Sequence, residues 1–286
     1  MSEREHRLDG MVRLGQGRTA EIFAWRDGRV LRLYREGTSR VVAQWELRVA
    51  RCVHESGIPS PAIYPADGGD GLIDLNGRCG FAMERIDGPS MLDSLTSRPW
   101  AMLRQALRFA GVHRQVHQAA VTGLPSQREQ FLAMVDRIVE DVGADVVARV
   151  RTRIERLWEG NAVCHGDFHP DNVMLAARGP VVIDWGPATW GCRAADVART
   201  VYLLRHGTPP EGIGPIGRLL IAGFGKRFQI LYLRSYLRGS SVTRRDVMDW
   251  MPVICALRLA EGIPQERARL RRVILRAFGR SRRMGG

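Results

Sequence analysis

The run Val163-Cys164-His165-Gly166-Asp167-Phe168-His169-Pro170-Asp171-Asn172-Val173-Met174-Leu175, followed after a turn by Val181-Val182-Ile183-Asp184-Trp185-Gly186, constrains this chain more than any other stretch. An Asp, an Asn five residues on, and a second Asp at the exit of the next apolar run bring three oxygen-bearing side chains to neighbouring strand ends. Carboxylate and amide oxygens suit a hard cation such as Mg²⁺. Phosphoryl transfer asks little more of a protein than to orient the attacking hydroxyl and hold metal against the phosphates. In that chemistry Asp167 is the candidate base, and Asn172 and Asp184 are the candidate metal ligands.

Composition narrows the alternatives. The chain has 286 residues, 45% of them hydrophobic, enough for two regions each with a core. Its first residues are charged with no apolar stretch behind them, and no run reaches the length of a membrane span, so the expectation is a cytoplasmic protein with no membrane partner. Cys52, Cys79, Cys164, Cys192 and Cys255 are scattered, with no C-x-x-C pair, which argues for reduced thiols over a disulfide framework or a zinc site.

The net charge is +13, and Lys226 is the single lysine, so nearly all basic residues are Arg. From Arg205 onward there are seventeen basic and five acidic residues, with Arg267, Arg269, Arg271, Arg272, Arg276, Arg280, Arg282 and Arg283 crowded at the end. Such a surface attracts anions and repels cations over about a Debye length. Nucleic acid is disfavoured as a partner, because basic and aromatic residues do not interleave and no zinc or RNP-type motif is present.

Residues 10–35 read as three strands. A glycine-bearing turn, Gly15-Gln16-Gly17, separates the first two, and the tight hairpin signal Asp27-Gly28 precedes Val30-Leu31-Arg32-Leu33-Tyr34, where alternation puts Val30, Arg32 and Tyr34 on one face. Glycine lets backbone N–H groups approach phosphate oxygens without an intervening Cβ. Thr38 or Ser39 caps a helix running to about His54, with Val42, Ala43, Trp45, Val49, Ala50 and Val53 as its apolar side. A second hairpin follows around Asn76-Gly77, with strands 72–75 and 78–83. Beyond Pro89 the pattern is mostly helical: one helix over 99–120, two amphipathic helices over 126–158 separated near Gly143, a Gly/Pro-rich loop from Arg205 to Gly217, and three helices over 218–279. His113 and His117, four apart, have metal-ligand spacing, but no third ligand is evident nearby and the pair reads as structural. Apolar positions such as Phe224, Phe228 and Leu233 read as core.

The pair His165-Gly166-Asp167-x4-Asn172 and Ile183-Asp184-Trp185-Gly186 resembles the aminoglycoside phosphotransferase and choline kinase-like superfamily, relatives of the protein kinases. The resemblance covers roughly residues 10 to 265. It implies an α+β, bilobal protein-kinase-like fold, with a strand-rich N-lobe over 1–87 and a mostly helical C-lobe over 88–286. It implies ATP (or GTP) and Mg²⁺ as cofactors, and a small-molecule hydroxyl as acceptor of the γ-phosphoryl group.

By the same resemblance Gly15 and Gly17 take the position of a glycine-rich loop, and Glu46 that of the helix glutamate that pairs with a strand cation. The segment Glu84-Arg85-Ile86 takes that of the hinge whose backbone meets adenine. His165 supports the catalytic loop. Gly191-Cys192-Arg193-Ala194-Ala195-Asp196-Val197-Ala198 matches G-x-x-x-x-D-[LV]-A, in which Asp196 starts a helix and holds that loop by accepting backbone N–H bonds. One position departs: the strand lysine that contacts nucleotide phosphates is here Arg32, whose planar fork is larger than an ammonium and not equivalent to it. The basic C-terminal third disfavours a polycationic acceptor, so a neutral or anionic one is expected, although Asp246, Asp249 and Glu261 are carboxylates available to a pocket. Two other readings follow from particular residues: a pseudokinase with weak or no turnover, from Arg32, and a polyanion-binding protein, from the Arg-rich end.

Overall fold

The computed structural model describes residues 10–17, 19–66, 69–206 and 215–279, with the side chains of 215–222 left aside. Its elements in chain order are β1 (Arg13–Gln16), β2 (Ala20–Trp25), β3 (Arg29–Tyr34), α1 (Arg40–Glu55), β4 (Ile63–Tyr64), β5 (Ile73–Leu75), β6 (Arg78–Glu84), α2 (Met91–Ser97), α3 (Met102–Gln118), α4 (Gln127–Val135), α5 (Val139–Val142), α6 (Ala144–Leu157), β7 (Ala162–Cys164), β8 (Val173–Ala176), β9 (Gly179–Val182), β10 (Thr189–Gly191), α7 (Arg193–His206), α8 (Pro215–Arg238), α9 (Arg244–Ala260) and α10 (Pro264–Phe278). The fold is α+β, strand-rich toward the N-terminus and helical toward the C-terminus. No helix among the described residues is long and apolar enough to cross a membrane.

By their internal contacts the residues form two compact units. The first holds the chain up to Ser94 together with Val121–Gly123 and Asp171–Pro187, and so includes the β8–β9 hairpin. Its sheet runs β1-β2-β3-β6-β4, with β5 also pairing β6. The two hairpin turns form because Asp27-Gly28 and Asn76-Gly77 all adopt positive φ, as a turn matching the right-handed strand twist requires. Leu31 and Leu33 face one core, with Phe23 and Leu75. Tyr34 faces the other, with Ala43, Leu47 and Phe81. Where β6 crosses β3, a Cβ on Gly80 would lie 2.3 Å from the Arg32 carbonyl oxygen, so only glycine permits this strand spacing.

Ser39 caps α1 by accepting the Val41 N–H. The buried side of α1 is Ala43, Leu47, Val49 and Val53, whereas Val42 is exposed, which corrects the expected apolar face by the one position Leu47 takes from it.

The second unit holds Leu95–Ala120, Leu124–Pro170 and the chain from Ala188. One face of α3 is buried through Ala106, Phe109, Ala110, His113, Val116 and His117. Rings of α8 lie against it: Phe228 is 5.6 Å and Tyr232 5.2 Å from Phe109 between centroids. The stretch expected as two helices over 126–158 is instead α4, a 3₁₀ turn, α5 and α6; the break before α6 falls at Gly143, whose φ of 87° ends the preceding helical turn. The three expected C-terminal helices are α8, α9 and α10. The Gly/Pro-rich loop lies largely outside the described residues, as do Arg280, Arg282 and Arg283.

Candidate functional site

In the first unit, β3 and α1 bring a charged cluster together. Arg32 Nη2 is 3.0 Å from Glu46 Oε2, and Arg32 Nη1 is 3.1 Å from Asp184 Oδ1. Tyr34, two residues along the same strand and therefore on the same face, donates its hydroxyl to Glu46 Oε2 at 2.6 Å. Arg32 and Glu46 are only 14% and 15% exposed, so neither is a solvated surface charge. Burial disfavours the charged guanidinium, but Asp184 and Glu46 more than offset it and hold its pKa above the usual value. One guanidinium N–H, at Nε, is buried without an acceptor. Gly186 belongs to this cluster as well, because a Cβ there would press within 3.0 Å of the Glu46 carboxyl.

Asn172 and Asp184 are set by the β8–β9 hairpin. Val173 pairs with Val182, and one step beyond, the Ile183 N–H donates to the Asn172 carbonyl at 3.0 Å. Asn172 and Asp184 thus sit at adjoining ends of one short ribbon. Asn172 is buried, while the Asp184 carboxylate is 43% exposed and its backbone is held at φ +63°. Among non-glycine residues this left-handed conformation is uncommon, and it re-aims the Asp184 side chain at the end of β9. An amide oxygen and an accessible carboxylate are a donor set that fits a hard divalent cation.

The remaining nucleotide-side candidates are placed as follows. Gly15 lies in β1 opposite Ile22, and the Gly17 N–H is committed to the Ala20 carbonyl at 2.8 Å, inside the turn. The Glu84 carboxylate is taken up by Arg178 and by the Ala62 N–H, and Arg178 holds its pKa below the ordinary carboxylate value. Ile86 follows β6, half-buried.

In the second unit, Asp167 sits on the loop after β7. Its neighbour Phe168 is buried, stacked on Phe109 at 4.4 Å and on His113 at 4.0 Å, which anchors the loop to α3. The Asp167 N–H donates to His165 Nδ1 at 3.2 Å. Asp167 Oδ2 is 3.5 Å from His169 Nε2, and Oδ1 is 3.5 Å from Arg199 Nη2. Burial pushes this carboxyl up, but His169 and Arg199 outweigh it and bring its pKa down to about 2.

Asp196, in the first turn of α7 and fully buried, accepts the N–H of His165 on Oδ2 and of Gly166 on Oδ1, each at 2.8 Å. His113 Nε2 and His117 Nε2 stand 3.0 and 3.1 Å from Oδ2. Burial opposes ionisation of Asp196, yet these donors hold its pKa well below the usual value. A carboxylate can only accept, so both rings carry a proton on Nε2; His113, kept neutral by burial, accepts at Nδ1 from Tyr232 (2.7 Å), and the Tyr236 hydroxyl lies 2.6 Å from His117 Nδ1. The expectation that His113 and His117 lack a third ligand-type neighbour is corrected: Asp196 meets both. The ring nitrogens are nevertheless all engaged in hydrogen bonds, which gives the pair a structural place.

Sequence reasoning missed Tyr34, Arg199 and the two tyrosines of α8. Arg199 carried a weak signal, an arginine three residues after Asp196 in an otherwise apolar helical run. Tyr34 was visible on the Arg32 face, but nothing in the sequence tied it to Glu46.

Residues 11–238 match the phosphotransferase enzyme family. No curated protein sequence matches the chain. Among solved structures, a thermostable mutant of an aminoglycoside phosphotransferase in ternary complex with ADP and hygromycin B is similar at 18% identity and a TM-score of 0.62, covering 95% of each chain. An amicoumacin kinase in complex with AMP-PNP, Ca²⁺ and amicoumacin gives 14% identity and 0.61, covering 95% of this chain and 89% of that one. A choline/ethanolamine kinase family protein from Mesorhizobium loti gives 16% and 0.58, covering 94% and 85%.

Proposed function

This chain is a member of the phosphotransferase enzyme family, and we propose that it moves the γ-phosphoryl group of ATP, or of GTP, to a hydroxyl of a small molecule. The observation that carries the reading is the placement of Asp167: a partly accessible carboxylate 3.5 Å from both His169 and Arg199, which favour its ionised form, on a loop whose backbone is tied to a buried Asp. Asp167 would accept a hydrogen bond from the acceptor hydroxyl, orient it for in-line attack and take its proton as the O–P bond forms. Arg32, held by Glu46, would contact the nucleotide phosphates and offset charge on the transferring group. Asn172 and Asp184 would hold Mg²⁺, whose chemistry when bound is to neutralise phosphate charge. His165 and Asp196 would keep the loop in register, and the backbone from Glu84 to Ile86 and the Gly15–Gly17 turn would border the nucleotide. Similar solved structures hold ADP or AMP-PNP, and one holds Ca²⁺, which supports nucleotide and divalent-metal use.

For the acceptor, a neutral or anionic hydroxyl compound fits best. Hygromycin B and amicoumacin are bound by similar structures, but here the side chain 3.5 Å from the base is Arg199, which would repel a cationic group beside the reacting hydroxyl. A second reading, weak turnover, is favoured by one observation, the stranded Nε–H of Arg32. Hydrolysis of MgATP that is lost in Asp167→Asn separates the two, and calorimetric titration of ATP with and without Mg²⁺ into wild type and Asp184→Ala tests whether the nucleotide site forms. Mg²⁺-dependent binding lost in the variant supports the kinase reading, and no binding in any combination removes it.

A further inference from the structure

Asp167 is not held by its loop alone. On α7, Arg199 lies three residues beyond Asp196 and on the same side of the helix, so a helix whose Asp196 fixes the backbone of residues 165 and 166 also sends a guanidinium to the carboxylate of Asp167. The two contacts of that guanidinium differ. Nη1 reaches Glu261 Oε1 at 2.6 Å, a short charge-assisted bond, whereas Nη2 stops 3.5 Å from Asp167 Oδ1, beyond ordinary hydrogen-bond length. Glu261 is itself fixed: its other oxygen takes Arg258 Nη1 at 2.6 Å, and Arg258 is held in turn by Glu266 at 2.7 Å. Charges alternate along the whole chain from Asp167 to Glu266, so each cation has a carboxylate on either side. Arg199 is 14% exposed and Arg258 10%, which limits screening by water.

We propose that Arg199 is a positioning residue for Asp167, and that Glu261 keeps it from closing onto the carboxylate; the inference rests on the phosphotransfer reading and deepens it. At 3.5 Å the guanidinium attracts the carboxylate and selects its rotamer without consuming the lone pair that the acceptor hydroxyl needs. Pulled closer, it would form a direct hydrogen bond with Oδ1 and compete with that hydroxyl. Held by Glu261, it does the first and not the second.

The test uses Asp167-dependent hydrolysis of MgATP by the full chain, so no acceptor need be known. Arg199→Gln should lower kcat about 10- to 100-fold, the scale of a misplaced catalytic group, with KM for ATP unchanged. Arg199→Lys should recover most of it, since each contact uses a single donor and the charge remains. Glu261→Gln, nearly isosteric and the variant least able to disturb folding, should lower kcat about 3- to 10-fold by freeing Arg199, and should have no further effect in an Arg199→Gln background. Wild-type turnover in Arg199→Gln, equal loss in the Gln and Lys variants, or additive losses in the double variant each overturn the proposal. A crystal structure of Arg199→Gln gives a readout independent of turnover: a changed Asp167 rotamer supports the role, and the wild-type rotamer refutes it. If wild type hydrolyses no ATP, the phosphotransfer reading falls, and the crystallographic result still decides whether Arg199 positions Asp167.

Discussion

The guanidinium of Arg32 stands 3.1 Å from the carboxylate of Asp184, so the strand cation and the candidate metal ligand at the end of β9 are one ion pair. Arg32 is shared between Asp184 and Glu46, and Glu46 is shared again with the Tyr34 hydroxyl. Asp184 therefore has to serve both a cation from the protein and, on the proposed reading, one from solution. The stranded Nε–H marks the cost of fitting a planar fork here, on the order of 1–3 kcal/mol for an unpaired buried donor.

The first prediction concerns that fit. Arg32→Lys should keep MgATP binding within about threefold and leave stability unchanged or raised, because a compact ammonium reaches a carboxylate without stranding a donor. Arg32→Ala should lose both binding and turnover, since Glu46 and Asp184 are left facing each other without a cation. Calorimetric ATP affinity and urea midpoints on the two variants check this, and loss in the lysine variant equal to that in alanine would refute it.

The local structure was legible wherever short-range chemistry decides it. Asp27-Gly28 and Asn76-Gly77 announced their turns, Ser39 its cap, and the spacing of Asn172 and Asp184 their hairpin. What stayed hidden were pairings between distant elements. His113 and His117 were seen as a pair, but the carboxylate that orients both rings lies 83 and 79 residues further on, and the tyrosines beside their Nδ1 atoms lie 119 residues away. Nor did any pattern tie Glu84 to Arg178, or Arg199 to Glu261, because a contact between elements far apart in the chain leaves no periodic trace in either. The site residues, with Glu46 and Asp196 as two of the groups that hold them, could be nominated from a motif; Tyr34, Arg199 and the tyrosines of α8 could not.

Asp196 supplies the second prediction. It accepts two backbone N–H groups and two imidazole N–H groups, with no water to replace them at a fully buried position. In Asp196→Asn one of the two acceptor oxygens becomes a donor facing donors. The expected loss is about 3–5 kcal/mol, the scale for breaking a buried charged network, read from urea denaturation. Tyr236→Phe removes one hydroxyl, 2.6 Å from His117 Nδ1, and should cost about 1–2 kcal/mol. If the two variants proved equally stable, Asp196 would not be the centre of this network.

A pH dependence follows from the same cluster. Burial lowers the His113 pKa to about 3, below the unfolded value near 6.5. The unfolded chain therefore binds a proton that the folded chain refuses between these values. The contribution of His113 is complete above about pH 6.5 and is lost as pH falls toward 3, with a slope approaching 1.4 kcal/mol per unit at about one proton. Asp196, whose pKa is lowered, adds a loss of the same sign at still lower pH. Unfolding midpoints between pH 7 and 4 should fall in wild type and fall less steeply in His113→Gln; parallel curves would assign the acid sensitivity elsewhere.

Turnover gives the last prediction. In Asp167→Asn the loop keeps its backbone bonds to Asp196 and the stacking of Phe168, because none of them uses the Asp167 side chain. Arg32, Glu46 and Asp184 are equally untouched. Nucleotide affinity should therefore stay within about threefold of wild type, while turnover falls by about 10²–10⁴, the usual worth of a positioned general base. The split between an intact Kd and a lost kcat is the signature to look for, by calorimetry and by ADP release at saturating ATP. Equal rates in variant and wild type would remove Asp167 from the role of base. A joint loss of affinity and turnover would instead make its carboxylate part of the nucleotide site, with proton transfer left to another group.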